Sequence, residues 1–227
     1  MNRSRAYVRM DGGLVALSML LVCVMGGCAT TSEDAKQKSK GYYQEGMASM
    51  DRDRQKAYVS FQKAVQIDPG NKEAHYGLGH ILASQDKLVQ AEAQFREAIK
   101  IDENYSEAHT FLGQVLAYQE RWTEAIDEFR RALSNPLYST PDLARYHLGK
   151  ALAHEGDYRG AMEALEDALA VNPPNVPPEK LQLELGRVYY KLGFERRAKE
   201  ALTKVTTLEK TGPNASAAKE ILARLKQ

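Results

Sequence analysis

The chain has 227 residues, of which 43% are hydrophobic and 27% charged, and its formal net charge is +1. That is enough chain for one ordinary domain, and the charge balance leaves no electrostatic footprint for nucleic acid. No stretch interleaves basic with aromatic residues as a base-stacking surface does, so nucleic acid is set aside as a partner.

Residues 1–27 read as an address. Arg3, Arg5 and Arg9 form a positive leader, Leu14 to Met25 is an apolar run, and Gly26-Gly27 places small residues before Cys28. As a helix the run rises only about 18 Å against a hydrocarbon core of about 30 Å, so a permanent span is not expected. Met25-Gly26-Gly27-Cys28 resembles a bacterial lipoprotein signal, with Met25 where Leu or Val is usual. Cys23 is the competing position, but Val22 before it is a poor cleavage residue, and cutting there would leave apolar residues in the mature chain. The resemblance implies that Cys28 becomes the acylated first residue, carrying palmitate-type chains. Each methylene buried in the bilayer contributes about 0.8 kcal/mol, and several chains together anchor stably. Ala29, where an aspartate would signal retention at the inner membrane, implies the periplasmic face of the outer membrane of a Gram-negative-type bacterium.

Residues 28–40 hold the lipidated cysteine and then Thr, Ser, Lys, Glu, Asp and Gln without an apolar period, which predicts a flexible tether. Beyond it a repeat begins. Ala74-x3-Leu78-Gly79-x2-Leu82 followed by Ala91-x3-Phe95-x2-Ala98 is answered 34 residues later by Ala108-x3-Leu112-Gly113-x2-Leu116 and Ala125-x3-Phe129-x2-Ala132. Small residues at fixed places let two helices approach closely while Leu and Phe fill the seam. Gly46, Gly79, Gly113, Gly149 and Gly186 recur at intervals of 33, 34, 36 and 37, and Ala57, Ala91, Ala125, Ala161 and Ala198 keep step with them. This spacing resembles the tetratricopeptide repeat, which implies an all-α, right-handed superhelical solenoid.

Five hairpins are predicted in a domain over 41–212, at about 41–71, 72–105, 106–141, 142–178 and 179–212, with a capping helix over 213–227. In the first, Asp51-Arg52-Asp53-Arg54 is read as a solvated turn with an N-cap, and Pro69 closes the pair. The third carries the only tryptophan, Trp122, expected to pack on the neighbouring hairpin rather than hold a ligand, because the equivalent residue of the second copy is the apolar Leu88. After it comes Asn135-Pro136-Leu137-Tyr138-Ser139-Thr140-Pro141, a stiff turn with Pro141 opening the next helix. Leu137 and Tyr138 there either cap the local core or present a docking point. Pro173, Pro174, Pro177 and Pro178 make an extended spacer before the fifth hairpin, and Asn214 is read as the N-cap of the last helix.

The loop Asn-Pro-Leu-Tyr-x-x-Pro, followed by Ala144 and Leu148-Gly149, is similar to the segment at this place in the PilF/PilW-type lipoproteins of type IV pilus biogenesis. That resemblance implies a pilotin, an outer-membrane repeat protein that assists localisation or assembly of the pilus secretin. The family commonly has six repeats where five are counted here. An adaptor for cell-wall hydrolases or outer-membrane assembly factors is the alternative.

No metal or catalytic constellation emerges. His75 and His80 fall on different helix faces, His154-Glu155 lacks the second histidine of a zinc protease, and no phosphate loop or Gly-x-Ser-x-Gly is present. The expectation is therefore a non-catalytic scaffold with no cofactor beyond the lipid on Cys28 and no small-molecule substrate. Its protein partner, secretin subunits on the pilotin reading, would dock on an inner wall lined by the first helix of each pair. The repeat register projects Tyr76, His80, Thr110, Gln114, Tyr146, Lys150, Leu183 and Arg187 onto that wall, with Leu137 and Tyr138 beside it.

Overall fold

A computed structural model describes residues 32–225, and these are helical throughout apart from their connections. The helices are α1 over 32–49, α2 Arg54–Ile67, α3 Lys72–Ser84, α4 Leu88–Ile101, α5 Ser106–Tyr118, α6 Trp122–Ser134, α7 Pro141–His154, α8 Tyr158–Leu169, α9 Pro178–Lys191, α10 Glu195–Leu208 and α11 Pro213–Arg224. Cys28 and the leader lie outside the described residues. No helix among the described residues is long and apolar enough to cross a membrane.

The chain divides into two compact units, Met1–Asn71 and Lys72–Gln227. The described part of the first unit is a single hairpin. Asp53 caps α2 by accepting from the Lys56 N–H, which is the N-cap expected in the charged turn. Gly46 lies against Phe61, so close that a Cβ there would stand 2.5 Å from the ring. The tether expectation fails over 32–40, which continues α1 as regular helix. The reason is a polar contact invisible to an apolar period. Ser39 is fully buried, its hydroxyl donates to the Ala64 carbonyl at 2.8 Å, and the Asn71 amide donates to it at 2.8 Å.

The second unit stacks four hairpins, α3/α4, α5/α6, α7/α8 and α9/α10, and ends in α11. Within each hairpin the glycine of the first helix faces the aromatic or leucine of the second. A Cβ at Gly79 or Gly113 would stand 2.7 or 2.6 Å from Phe95 or Phe129, and at Gly149 or Gly186 it would stand 2.6 Å from Leu165 or Leu202. Glycine is therefore required by close approach, which is why it returns once per repeat. The turns are equally regular. Asp86, Glu120, Gly156 and Gly193 all take positive φ, reversing the chain in the least space.

The first helices α3, α5, α7 and α9 each touch the next in line, whereas the backbones of the second helices stand apart. Long side chains bridge that outer gap, Arg121 to Glu92 at 2.8 Å and Arg197 to Glu166 at 2.5 Å. Close first helices and splayed second helices curve this unit, with α3, α5, α7 and α9 on the inner wall. Its end is closed by α11, whose Ala218, Ile221 and Leu222 pack on Leu183, Leu202 and Val205. Asn214 is not the N-cap. Gly212 holds that place with Pro213 opening the helix, and the Asn214 amide donates instead to Glu209 at 2.6 Å. The neighbouring proline fixes φ, so the cap falls one residue before it.

Candidate functional site

The inner wall of α5, α7 and α9 carries the groups that can meet a partner. On α5, Tyr118 is 75% exposed. On α7, Tyr146 is half-buried and the Lys150 ammonium lies 5.4 Å from its ring centre. On α9, Arg187 is exposed and donates to Glu184 at 2.8 Å. Burial pushes the Tyr146 hydroxyl up to about 12, with Glu184 adding to the rise and Arg187 opposing it, so the phenol stays protonated. These groups share one face because residues four apart on a helix do, and equivalent positions of successive repeats stack.

Between α5, α6 and α7 the wall opens into a recess of about 100 Å³, lined by Gln114, Tyr118, Trp122, Phe129, His147 and Lys150 together with Ala117. Trp122 stacks on His154 with ring centres 3.9 Å apart, the packing on the next hairpin that the sequence suggested. His147 stacks on Phe129 at 5.8 Å and meets Tyr146 edge-on at 5.1 Å. Burial, then the positive charges of Lys150 and Lys180, push the His147 imidazole down to about 3, so it is neutral at physiological pH. The side-chain nitrogen of Gln114 is buried without a hydrogen-bond partner among the described residues.

The projected residues divide. Gln114, Tyr146, Lys150 and Arg187 lie on this part of the wall. Tyr76 and His80 are further along it, half-buried in an aromatic cluster with Phe111, where their ring centres stand 5.5 and 5.0 Å from that of Phe111. Thr110 and Leu183 are not available to a partner. Thr110 is fully buried, its hydroxyl bonded to the Ser106 carbonyl and to the Tyr138 hydroxyl at 2.9 Å each, and Leu183 is covered by α11. The loop also divides. Tyr138 is 8% exposed and packs on Ala132 and Ala144, while Leu137 beside it is 87% exposed. Tyr138 is thus the local cap, and burial raises its pKa further from ionisation.

Sequence reasoning missed a second polar feature. His109 Nδ1 lies 2.6 Å from the Glu128 carboxylate and its Nε2 lies 3.0 Å from the Glu103 carbonyl, a buried link between α5 and α6. One repeat earlier, His75 Nδ1 lies 2.8 Å from the Gln94 side-chain oxygen. The signal is the pair spacing of 19 at the same register in two consecutive repeats. Both pairs sit inside a hairpin and fix it. Among the described residues no group of three or more His, Cys, Asp or Glu side chains is placed to hold a metal ion.

Stacked helix pairs with an exposed inner wall define a repeat scaffold of the protein-interaction class. Two family models described as tetratricopeptide repeat match residues 49–115 and 111–177, and the chain belongs to the tetratricopeptide-repeat proteins. No curated protein matches it by sequence. Among solved structures it is similar to PilW, described as a widely conserved type IV pilus biogenesis factor, with 25% identity, a TM-score of 0.70, and 83% of this chain and 92% of that one covered. It is similar in fold to PilF of Pseudomonas aeruginosa at 21% identity and a TM-score of 0.72, covering 85% and 90% of the two chains. The fold of YrrB, described as having an unusual peptide-binding site, is also similar, at 21% identity and a TM-score of 0.65, covering 85% of this chain and 97% of that one.

Proposed function

We propose that the protein is a lipid-anchored docking scaffold of type IV pilus biogenesis, a pilotin that assists localisation or assembly of the pilus secretin. The observation that carries this reading is the likeness to PilW along nearly the whole of that chain, combined with a wall of exposed Tyr, Lys and Arg side chains. Tyr and Arg are the residue types that most often anchor protein interfaces. Met25-Gly26-Gly27-Cys28 supports attachment through an acylated Cys28, with the repeats facing the periplasm. In this mechanism the protein makes and breaks no bond. The lipid holds the solenoid at the outer membrane, and the α5/α7/α9 wall engages secretin subunits there.

Two strains test it, one lacking the gene and one carrying Cys28→Ala. The expected result is loss of secretin multimers from the outer-membrane fraction and of surface pili in the first, and soluble periplasmic protein with the same defects in the second. Normal secretin multimers and pili in the deletion strain would overturn the assignment.

A further inference from the structure

The last hairpin lacks a side chain that two of its predecessors have. Four residues before the repeat glycine, α3, α5 and α9 carry His75, His109 and Gln182, all three buried. At the position 19 residues further on, α4 delivers Gln94 to His75 at 2.8 Å and α6 delivers Glu128 to His109 at 2.6 Å. In α7/α8 the pair is Arg145 and Ala164, and the longer arginine is only half-buried. In α9/α10 the partner position is Ala201. Gln182 is 8% exposed, yet its side-chain amide has no hydrogen-bond partner among the described residues, and it is not sealed from solvent. It lines a recess of about 430 Å³ between α8, α9 and α10, where the splayed outer helices and the short Ala201 side chain leave room. That volume is in the range of ligand-binding clefts. The floor is apolar, with Leu169, Leu185 and Ala201 in its lining. Its charged groups neutralise one another: Glu166 accepts from Arg197 at 2.5 Å and from the Tyr189 hydroxyl at 2.6 Å, and Lys204 meets Glu200 at 3.0 Å.

A side-chain amide offers N–H donors and a carbonyl acceptor side by side, and only a group with both answers it. A carboxylate has acceptors alone, an ammonium donors alone, and either would lose hydration against a rim whose charges are already met. In a trans peptide bond the N–H and C=O point opposite ways, so one backbone amide cannot meet both. A second carboxamide can, and Gln94 beside His75 shows that this register position already receives one within the chain. We propose that the recess is a binding site on the outer face of the second unit, taking a glutamine side chain from an uncharged segment of a protein partner. Its carboxamide pairs with that of Gln182, and its stem lies on Leu185 and Ala201. The site is on the far side of α9 from the inner wall and does not rest on the docking role proposed above.

The isotope-labelled full chain in detergent is titrated, with NMR detection, against three peptides, acetyl-Ala-Leu-X-Leu-Ala-methylamide with X as Gln, Glu or Leu. The methylamide end keeps any primary amide out of the peptide except that of X. The side-chain amide signal missing from Gln182→Leu identifies Gln182. The Gln peptide is expected to shift that signal and to bind about tenfold more tightly than the Glu or Leu peptide. Gln182→Leu keeps the apolar bulk and should remove the preference by the same factor. Ala201→Gln supplies from within the chain the partner that Gln94 gives His75, and should abolish binding of the Gln peptide with helix content unchanged. Equal binding of the three peptides, a Gln182 signal unmoved by any of them, or a preference for Gln that survives both substitutions would each overturn the proposal. None of these results bears on secretin docking at the α5/α7/α9 wall, so the two readings fail separately.

Discussion

Phe129→Ala is expected to lower the stability of the folded chain by about 3–5 kcal/mol, read as a shift of the urea midpoint followed by helix content. Phe129 is 1% exposed, and it fills the seam between α5 and α6 against Gly113. Removing the ring deletes a large apolar surface and leaves a cavity in a structure where each hairpin leans on its neighbours. Gly113→Ala attacks the same seam from the other side. A Cβ 2.6 Å from the ring forces the helices apart at a cost of about 1–3 kcal/mol. Combined, the two substitutions should cost less than the sum of the singles, because the new methyl group enters space vacated by the ring. Strict additivity would contradict the close approach of Gly113 and Phe129.

Asp142→Ala should cost about 3 kcal/mol. Asp142 is fully buried at the start of α7, and its carboxylate accepts from the Asn175 N–H at 2.6 Å, the Asn175 side-chain amide at 2.9 Å and the Val176 N–H at 2.9 Å. It thereby pins the proline-rich spacer to the hairpin before it, and alanine leaves the buried Val176 N–H and two part-buried Asn175 donors unmet. Burial opposes ionisation of Asp142, but the Asn175 side chain and the backbone N–H groups of Val176 and Asn175 outweigh it and hold its carboxyl below the ordinary carboxylate range. The sign follows from linkage. A depressed carboxyl pKa stabilises the fold fully above the unfolded value of about 3.9, and the contribution is lost as pH falls through that value toward the folded one. The stability curves of the wild type and Asp142→Asn should accordingly separate at neutral pH and converge in acid. A constant gap across the acid range would show that the charge of Asp142 is not what matters.

The hairpins were legible because their packing rule is written in residue size. A seam too narrow for a side chain demands glycine at 79 and 113, and the ring that closes it demands Phe at 95 and 129, so the repeat can be read without coordinates. Polar packing left no such trace. Ser39 looks like any tether serine until Ala64 and Asn71 are brought to it, and Glu128 looks like a surface acid until His109 is. The wall was half legible for a related reason. Register alone puts Thr110 and Tyr146 at the same place in successive repeats, but Tyr138 arrives from a loop to cover the first while nothing among the described residues buries the second fully. Leu183 was misplaced because the covering helix α11 belongs to no repeat. The recess was out of reach, since its walls come from three helices.

Site-specific photo-crosslinking in living cells puts the inner wall to the test. Tyr118 on the wall is 75% exposed and Val89 on the outer helix α4 is 77% exposed, so a photoreactive residue at either position samples solvent equally. Secretin subunits crosslinked from position 118 and not from position 89 are the predicted result. Capture of secretin from position 89 with none from position 118 would contradict docking on the α5/α7/α9 wall.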